Sequence, residues 1–439
     1  MNLFSFISLR LALILYFILW IMALPFLSVL SRLKISHAHR FGLRLPRGEF
    51  DLWIQAASVG EARLTIKFLQ KIPQQKLSRI VVSTNTPQAM EILKQEKDCQ
   101  GIQLIYFPLD FVFLLPGFFR RFRPGKVLLM ETEIWPGLLF KCQRKKIPVC
   151  IGNARMSLKS FCRYSALGNF FSLVGPDEIM AVSSRDAFRF QKIFKRSRVG
   201  QMNNIKYDML QEKRNESCDP STLPLQLGKD HRLIVLGSTR QEEESLMQWL
   251  IKNIRCYHPE IILALFPRHM HRLQFWEKFF QKNGMDWTRR SALSRDQKQA
   301  AGIILWDTFG ELKQVYSLAA SVYVGGSLIP CGGQNFLEPV SQGVVPCVGP
   351  FRDNFRWIED RIFEQGLAIE VQTVRDLYQA LVSAPLPDRQ KIKDKFHRFI
   401  IHRKGGAETL ARIVMNIQDK APGSRQEPWT FSQSQPKPI

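Results

Sequence analysis

The chain has 439 residues, 45% of them hydrophobic, and carries 62 Lys and Arg against 38 Asp and Glu, a formal net charge of +24. That length exceeds one ordinary core and predicts two domains, and the apolar content is that of a folded chain. The charge calls for an anionic partner, whether nucleic acid, membrane surface or phosphorylated substrate, while eight scattered cysteines without a C-x-x-C pair exclude a zinc ribbon and a redox motif.

Residues 11–30 (LALILYFILWIMALPFLSVL) carry no charge. Such a run is long enough to cross a bilayer core as a helix, and Pro25 is tolerable in a span. Arg32, Lys34, Arg40, Arg44 and Arg47 follow it and Arg10 precedes it, so the positive-inside rule puts the rest of the chain on the cytoplasmic side. The run is long for a cleaved signal peptide and no A-x-A site ends it. Residues 1–30 are therefore expected to be a retained single-pass anchor.

Beyond it, apolar runs at 51–56, 79–84, 102–107, 126–131, 147–151 and 178–183 alternate with helical patterns. The second half repeats the theme at 232–237, 261–266, 302–306, 321–325, 344–348 and 367–371. Uninterrupted runs of Val, Ile and Leu, bounded by turn residues, predict parallel strands covered on both faces. Residues 213–224, polar and holding Pro220 and Pro224, read as a linker. Residues 419–439, rich in Pro, Ser and Gln, read as a disordered tail. The expected architecture is α/β: Rossmann-like domains at 31–212 and 225–418 facing a cleft. Phe107 to Arg123 sets aromatic residues beside Arg120, Arg121 and Arg123, which suits either a lipid headgroup boundary or a core helix with a basic end. Lys141, Arg144, Lys145 and Lys146 make a second basic patch, usually a solvated face.

Polar clusters fall at the ends of these runs, where open α/β sheets bind ligands. Ala56-Ala57-Ser58-Val59-Gly60-Glu61 follows the first, and its small residues, Ser58 and Gly60 included, let a substrate approach the backbone closely. Glu61 is placed either to deprotonate a hydroxyl or only to meet its own helix N-terminus. Glu131 and Glu133 lie two apart after the fourth run, on one face of a strand or as caps for the helix that Pro136 starts. Arg155, after the fifth, is a phosphate ligand or the counter-charge of Glu131 or Glu133.

In the second half, Gly237-Ser238-Thr239-Arg240, Pro267-Arg268-His269, Asp307-Thr308-Phe309-Gly310-Glu311-Leu312, Val324-Gly325-Gly326-Ser327 and Gly332-Gly333-Gln334-Asn335-Phe336-Leu337-Glu338-Pro339 come at successive strand ends. Glycines that open a helix leave backbone N–H groups for a phosphate, and a glutamate after such a loop suits ribose hydroxyls. No G-x-G-x-x-G or Walker A pattern occurs, so a Rossmann dehydrogenase and a P-loop kinase are unsupported. No metal-ligand cluster is visible.

These segments make the chain resemble the 3-deoxy-D-manno-octulosonic acid (Kdo) transferases of lipopolysaccharide synthesis, over residues 45–410 and the N-terminal segment. The likeness rests on A-A-S-V-G-E at 56–61, E-T-E-I-W-P at 131–136, N-A-R-M-S at 153–157, N-x-K-Y-D at 204–208, G-S-T at 237–239, P-R-H at 267–269, D-T-x-G-E-L at 307–312 and G-G-Q-N-x-L-E-P at 332–339. It implies a GT-B fold with an acceptor-binding first domain and a donor-binding second domain. It implies inverting, metal-independent transfer of Kdo from CMP-Kdo to a lipid A precursor, lipid IV-A, at the cytoplasmic leaflet of the cell inner membrane, with no cofactor.

By resemblance, Glu61 is the general base, and Ser238, Arg268, His269, Gly310, Glu311, Gly326, Ser327, Asn335 and Glu338 bind the donor. Ser58, Gly60, Glu131, Glu133, Arg155 and Lys206 are acceptor-side or other candidates. In this chemistry the base takes a proton from the attacking hydroxyl, the transition state resembles an oxocarbenium ion, and Arg268 with the glycine-loop amides stabilises the departing phosphate. The chain departs from the family pattern at Gln55 and Arg240, where members often have His, and at Met270-His271-Arg272, where Pro-Glu-Arg is usual. Two rival readings are another GT-B enzyme, a UDP-sugar transferase or nucleotide-sugar epimerase, and a tethered nucleic-acid-binding protein. The second has the charge but lacks an RNP, zinc-finger or KH signature, so no nucleic acid partner is expected.

Overall fold

The computed structural model describes Tyr16, Ile18, Met22, Arg40, Phe41 and residues 45–111, 114–171, 173–212, 223–225, 232–293, 302–358 and 360–415. They form two compact units, one reaching to Gln211 and resuming at Arg403, the other covering Glu212–His402.

The first unit is built on β1 (Gly48–Gln55), β2 (Ile80–Thr84), β3 (Gln103–Tyr106), β4 (Phe122–Met130), β5 (Val149–Ala154), β6 (Glu178–Ala181) and β7 (Arg198–Gln201). They pair in the order β3-β2-β1-β4-β5-β6-β7, all parallel. Side chains alternate across the sheet. Leu52 and Ile54 pack with Leu64 and Phe68 of the helix Val59–Leu69 on one face, while Trp53 packs with Val127, Phe122 and Leu138 on the other.

The second unit is built on β8 (Arg232–Thr239), β9 (Ile261–Pro267), β10 (Trp287–Arg289), β11 (Ile303–Leu305), β12 (Ser321–Val324), β13 (Pro346–Val348) and β14 (Ile369–Glu370). Their order is β10-β11-β9-β8-β12-β13-β14, again all parallel. Ile234, Leu236, Leu263 and Leu265 bury one face against Met247, Ile251 and Trp276.

In each unit the chain starts mid-sheet, extends to one side, then returns to the other side of its first strand. The crevices outside the carboxyl ends of β1/β4 and of β8/β12 are therefore topological switch points, where open α/β sheets bind ligands.

The structure corrects two expectations and decides between the two readings of a third segment. First, the second domain does not run to 418. The helix Gly406–Met415 buries its apolar stripe, Ala407, Leu410, Ala411 and Val414, in the core of the first unit. Asp208 ties it there by accepting from the Gly405 and Ala407 amides at 2.7 and 2.8 Å. Second, the single-pass anchor over 1–30, and the inner-membrane placement that rested on it, are not upheld. Among the described residues no helix is long and apolar enough to cross a membrane. Of that segment only Tyr16, Ile18 and Met22 are described, and Tyr16 donates a 2.8 Å hydrogen bond to the buried Asp110 inside the folded unit. Third, the aromatic stretch after Phe107 is core: Phe107, Phe118, Phe119 and Phe122 are all buried. The linker expected over 213–224 lies outside the described residues except Leu223 and Pro224, and the tail over 419–439 lies wholly outside them.

Candidate active site

The first switch point gathers carboxylates. Ser58 is the N-cap of the helix Val59–Leu69, with Gly60 exposed at its second position. The Ser58 hydroxyl accepts from the Glu61 amide at 3.3 Å and donates to Glu61 Oε1 at 3.0 Å, while the Ala57 amide donates to Oε2 at 2.6 Å. This is a capping box closed one residue upstream of the cap. Glu61 thus does meet its own helix N-terminus, as the simpler sequence reading expected. It is also only 8% exposed. Burial first, then the neighbouring Glu133 charge, push its carboxyl up to about 7 against the lowering effect of the Ala57 amide, and Glu131 adds a further push.

Glu131 and Glu133 reach the same place from the end of β4. Glu131 sits in the left-handed region, at φ 56°. Lys206 Nζ lies 2.8 Å from its Oε1 and Arg155 Nη1 lies 3.7 Å from the same oxygen. Arg155 is thus the counter-charge of Glu131, and Thr132 donates through its hydroxyl to the Arg155 carbonyl. Lys206 is held there by buried Asn153, whose side-chain oxygen accepts from the Ile205 amide at 2.9 Å. Glu133 accepts from Trp135 Nε1 at 2.7 Å. Burial raises its carboxyl above the usual range, while hydrogen bonds from Trp135 and Gln55 lower it. Neither glutamate caps the helix Pro136–Lys145. That role belongs to fully buried Asp110, which accepts from the Gly137 and Leu138 amides at 2.8 and 2.7 Å.

The second unit laces glycine loops together. Ser238 is left-handed at φ 55°. Glu243, wholly buried, accepts from the Arg240 amide at 2.9 Å, from the Gly326 amide at 2.8 Å and from the Tyr323 hydroxyl at 3.0 Å. It thereby clamps the loop after β8 to the loop after β12. A Cβ at Gly325 would lie 2.5 Å from both Glu243 Oε1 and the Ser238 carbonyl oxygen, so only glycine fits there. The Gly333 and Gln334 amides donate to the carbonyls of Gly326 and Gly325 at 2.7 and 3.0 Å. Asn335 accepts from the Leu337 amide at 3.3 Å, with Glu338 half-buried in the following turn.

The donor-side candidates divide by what their side chains do. Ser327 is fully buried: its hydroxyl donates to the Val324 carbonyl and accepts from the Gly349 amide, both at 2.9 Å. Both oxygens of Glu311 are engaged, by Arg290 at 2.6 Å on one side and by Trp306 Nε1 and the Thr308 hydroxyl at 2.9 and 2.6 Å on the other. Those two residues act as positioning groups. Arg268, His269 and Gly310 are exposed at the carboxyl ends of β9 and β11. His269 stacks on His271 with ring centroids 5.5 Å apart. Among the described residues, no group of three or more His, Cys, Asp or Glu is placed to hold a metal ion.

Residues 32–209, which carry the carboxylate cluster, match the family model of 3-deoxy-D-manno-octulosonic-acid transferase. Residues 32–209 belong to the Kdo transferase domain family. It is 26% identical over 379 residues to the 3-deoxy-D-manno-octulosonic acid transferase of Haemophilus influenzae, covering 84% of this chain and 87% of that one. It is 27% identical over 334 residues to the enzyme of the same name from Aquifex aeolicus, covering 75% and 84%. It also matches a bifunctional glycosyltransferase/methyltransferase of Fusobacterium nucleatum at 26% identity, covering 85% of this chain and 59% of that longer protein. A crystallised C-terminal CMP-Kdo binding domain from Acinetobacter baumannii aligns with 45% of this chain and 99% of its own length, at 22% identity and a TM-score of 0.35.

Two buried acids that brace the candidate loops, one in each unit, escape a reading of the sequence. Glu243 sits among Glu242 and Glu244, a run that reads as a solvated first turn. Asp110 sits in the aromatic stretch Phe107–Phe111, where neighbouring side chains conceal its role.

Proposed function

We propose that this Kdo transferase is a GT-B enzyme that moves Kdo from CMP-Kdo to a hydroxyl of a lipid A precursor, lipid IV-A, inverting the anomeric carbon. In this reading the first unit takes the acceptor and the second takes the donor. Glu61 is the base. A sugar hydroxyl is a poor nucleophile at neutral pH, and the positioned carboxylate removes its proton as the oxygen attacks. The observation that carries the reading is the Glu61 carboxyl itself: buried at the β1/β4 switch point, pushed up to about 7 by burial and Glu133, and still held by the Ala57 amide and the Ser58 hydroxyl. A base with that pKa is about half deprotonated at neutrality and stronger than an ordinary carboxylate.

Arg268, His269 and the loop at Ser238 take the donor phosphate, with Gly326, its amide held by Glu243, shaping the loop beside them, and with Asn335 and Glu338 on the nucleotide. Cytidine monophosphate leaves as a stable anion, so no second acid need protonate it. Lys206 and Arg155 compensate Glu131 and orient the acceptor side beside Ser58, Gly60 and Glu133. The cationic surplus of the chain suits a phosphorylated acceptor.

The test is a purified-protein reaction with CMP-Kdo and lipid IV-A, read by mass spectrometry, with UDP-sugars as parallel donors. The reading expects Kdo-bearing product and free CMP from CMP-Kdo alone. Turnover with a UDP-sugar and none with CMP-Kdo would overturn it. The masses of the products also count how many Kdo residues are added.

A further inference from the structure

We infer a second ligand site on the first unit, at the amino ends of its strands, which takes an amphiphilic anion: a phosphate or carboxylate head on a short apolar tail. A cavity of about 550 Å³ opens beneath the loops that lead into β5, β6 and β7. That volume is typical of small-molecule pockets. The carboxylate cluster belongs to the carboxyl ends of β1 and β4, so this cavity, at the opposite ends of the strands, is a separate place.

Its lining has the chemistry of such a ligand. Lys146, Arg196 and Arg198 contribute three cations. Arg198 pairs with Glu178 at 2.8 Å. Among the described residues, Lys146 and Arg196 have no carboxylate partner. Asp177 is the single acid of the lining, and the Val149 amide occupies one of its oxygens at 2.8 Å. A surplus of positive charge therefore faces the cavity. Leu139 and Phe171 supply a buried apolar wall.

The backbone gives an independent sign. Lys146 is the C-cap of the helix Pro136–Lys145 and is left-handed at φ 56°, a position that favours glycine. Among the described residues, the other non-glycine residues in that region are Glu131, Asn153 and Ser238, all at the candidate active site. Strained backbone persists where function over-determines it. A lysine placed where glycine would be easier, at the lining of a cavity and with no carboxylate partner among the described residues, fits that pattern.

The test is calorimetry on the full chain with octyl phosphate below its micelle concentration, and with inorganic phosphate and octanol as separate probes. Octyl phosphate should bind saturably. Lys146→Gly and Arg196→Gln should each weaken it at least tenfold, with the melting temperature of Lys146→Gly unchanged or raised because glycine relieves the left-handed strain. Glu61→Gln should bind octyl phosphate like the parent, which separates this site from the proposed transferase chemistry. Octanol binding as tightly as octyl phosphate, inorganic phosphate binding as tightly as octyl phosphate, or full affinity in the Lys146→Gly, Arg196→Gln double variant would each overturn the inference.

Discussion

Lys206 Nζ stands 2.8 Å from Glu131 Oε1, joining the N-x-K-Y-D segment to the end of β4. The pair neutralises one of three carboxylates that converge on the first switch point, with Arg155 completing the compensation at 3.7 Å. Among the described residues, Glu61 and Glu133 are left without a cation of their own. Charge repulsion between them therefore adds to burial in holding a proton on Glu61 up to about pH 7.

Removing that cation should be visible in the pH profile. In Lys206→Met Glu131 keeps only the more distant Arg155, and its less compensated charge pushes the Glu61 carboxyl further up. The acid limb of kcat/KM for transfer is expected to move to higher pH, with a stability loss of about 1.5–3 kcal/mol for the lost hydrogen bond between charged groups. A variant with lower stability but an unmoved acid limb would reduce Lys206 to a purely structural role.

Glu61→Gln separates stability from activity. The native carboxyl titrates near 7 against an ordinary value of 4.5, so the folded state holds a proton that the unfolded state releases. Stability contributed by this group falls as pH rises from about 4.5 to about 7 and stays low above it. The amide removes that penalty. At pH 8 the variant should be more stable to urea by up to about 3 kcal/mol, and at pH 4 the difference should vanish. Transfer should fall by roughly 10²–10⁴, the usual worth of a general base. Near-parental turnover would remove Glu61 from the chemistry.

Gly325→Ala tests the clamp of the second unit. The new Cβ meets Glu243 Oε1 and the Ser238 carbonyl oxygen at 2.5 Å. The carbonyl is backbone and Glu243 is fixed by several donors, so neither yields easily. Overpacking of this kind costs about 1–3 kcal/mol, and the loops after β8 and β12 must part. Thermal unfolding should register the loss, and CMP affinity should fall with it. Parental affinity in a destabilised variant would show that these loops do not hold the nucleotide.

The sequence made the central strands legible and hid two of the four edges, β7 and β10. The runs at 51–56, 79–84, 126–131, 232–237 and 261–266 overlap β1, β2, β4, β8 and β9, because strands buried on both faces must be apolar throughout. β7 (Arg-Val-Gly-Gln) and β10 (Trp-Thr-Arg) gave no such signal, since each lies at a sheet edge and is partly exposed. The helix Gly406–Met415 carries an apolar stripe, but nothing in the stripe names its partner. Its stripe would suit either sheet, and the choice is made by Asp208, two hundred residues away along the chain. The same holds for the site. Glu61, Glu131 and Lys206 could be named from motifs, but their meeting depends on strand order, which no local pattern encodes.

Arg268→Ala examines the donor side with the least structural side effect. Arg268 follows β9, next to the β8/β12 loops, and its backbone amide donates to the Thr239 carbonyl at 2.8 Å, which fixes where the side chain starts. The side chain itself is exposed, and among the described residues no carboxylate pairs with it. Truncation should therefore leave the melting transition within about 0.5 kcal/mol of the parent, as for surface changes generally. If the guanidinium meets the donor phosphate, CMP binding should weaken by about 1.5–3 kcal/mol, the range for a hydrogen bond to a charged group. Lysine at this position should recover only part of the loss, because an ammonium cannot grip phosphate through two parallel N–H bonds. Arg290 offers the contrast. Its guanidinium is committed to Glu311 at 2.6 Å, so Arg290→Ala should lower stability first and nucleotide affinity only through the displaced loop at 307–312. Calorimetric titration of CMP into both variants, alongside their unfolding curves, distinguishes the two roles. Unchanged CMP affinity in Arg268→Ala would rule that arginine out as a phosphate ligand.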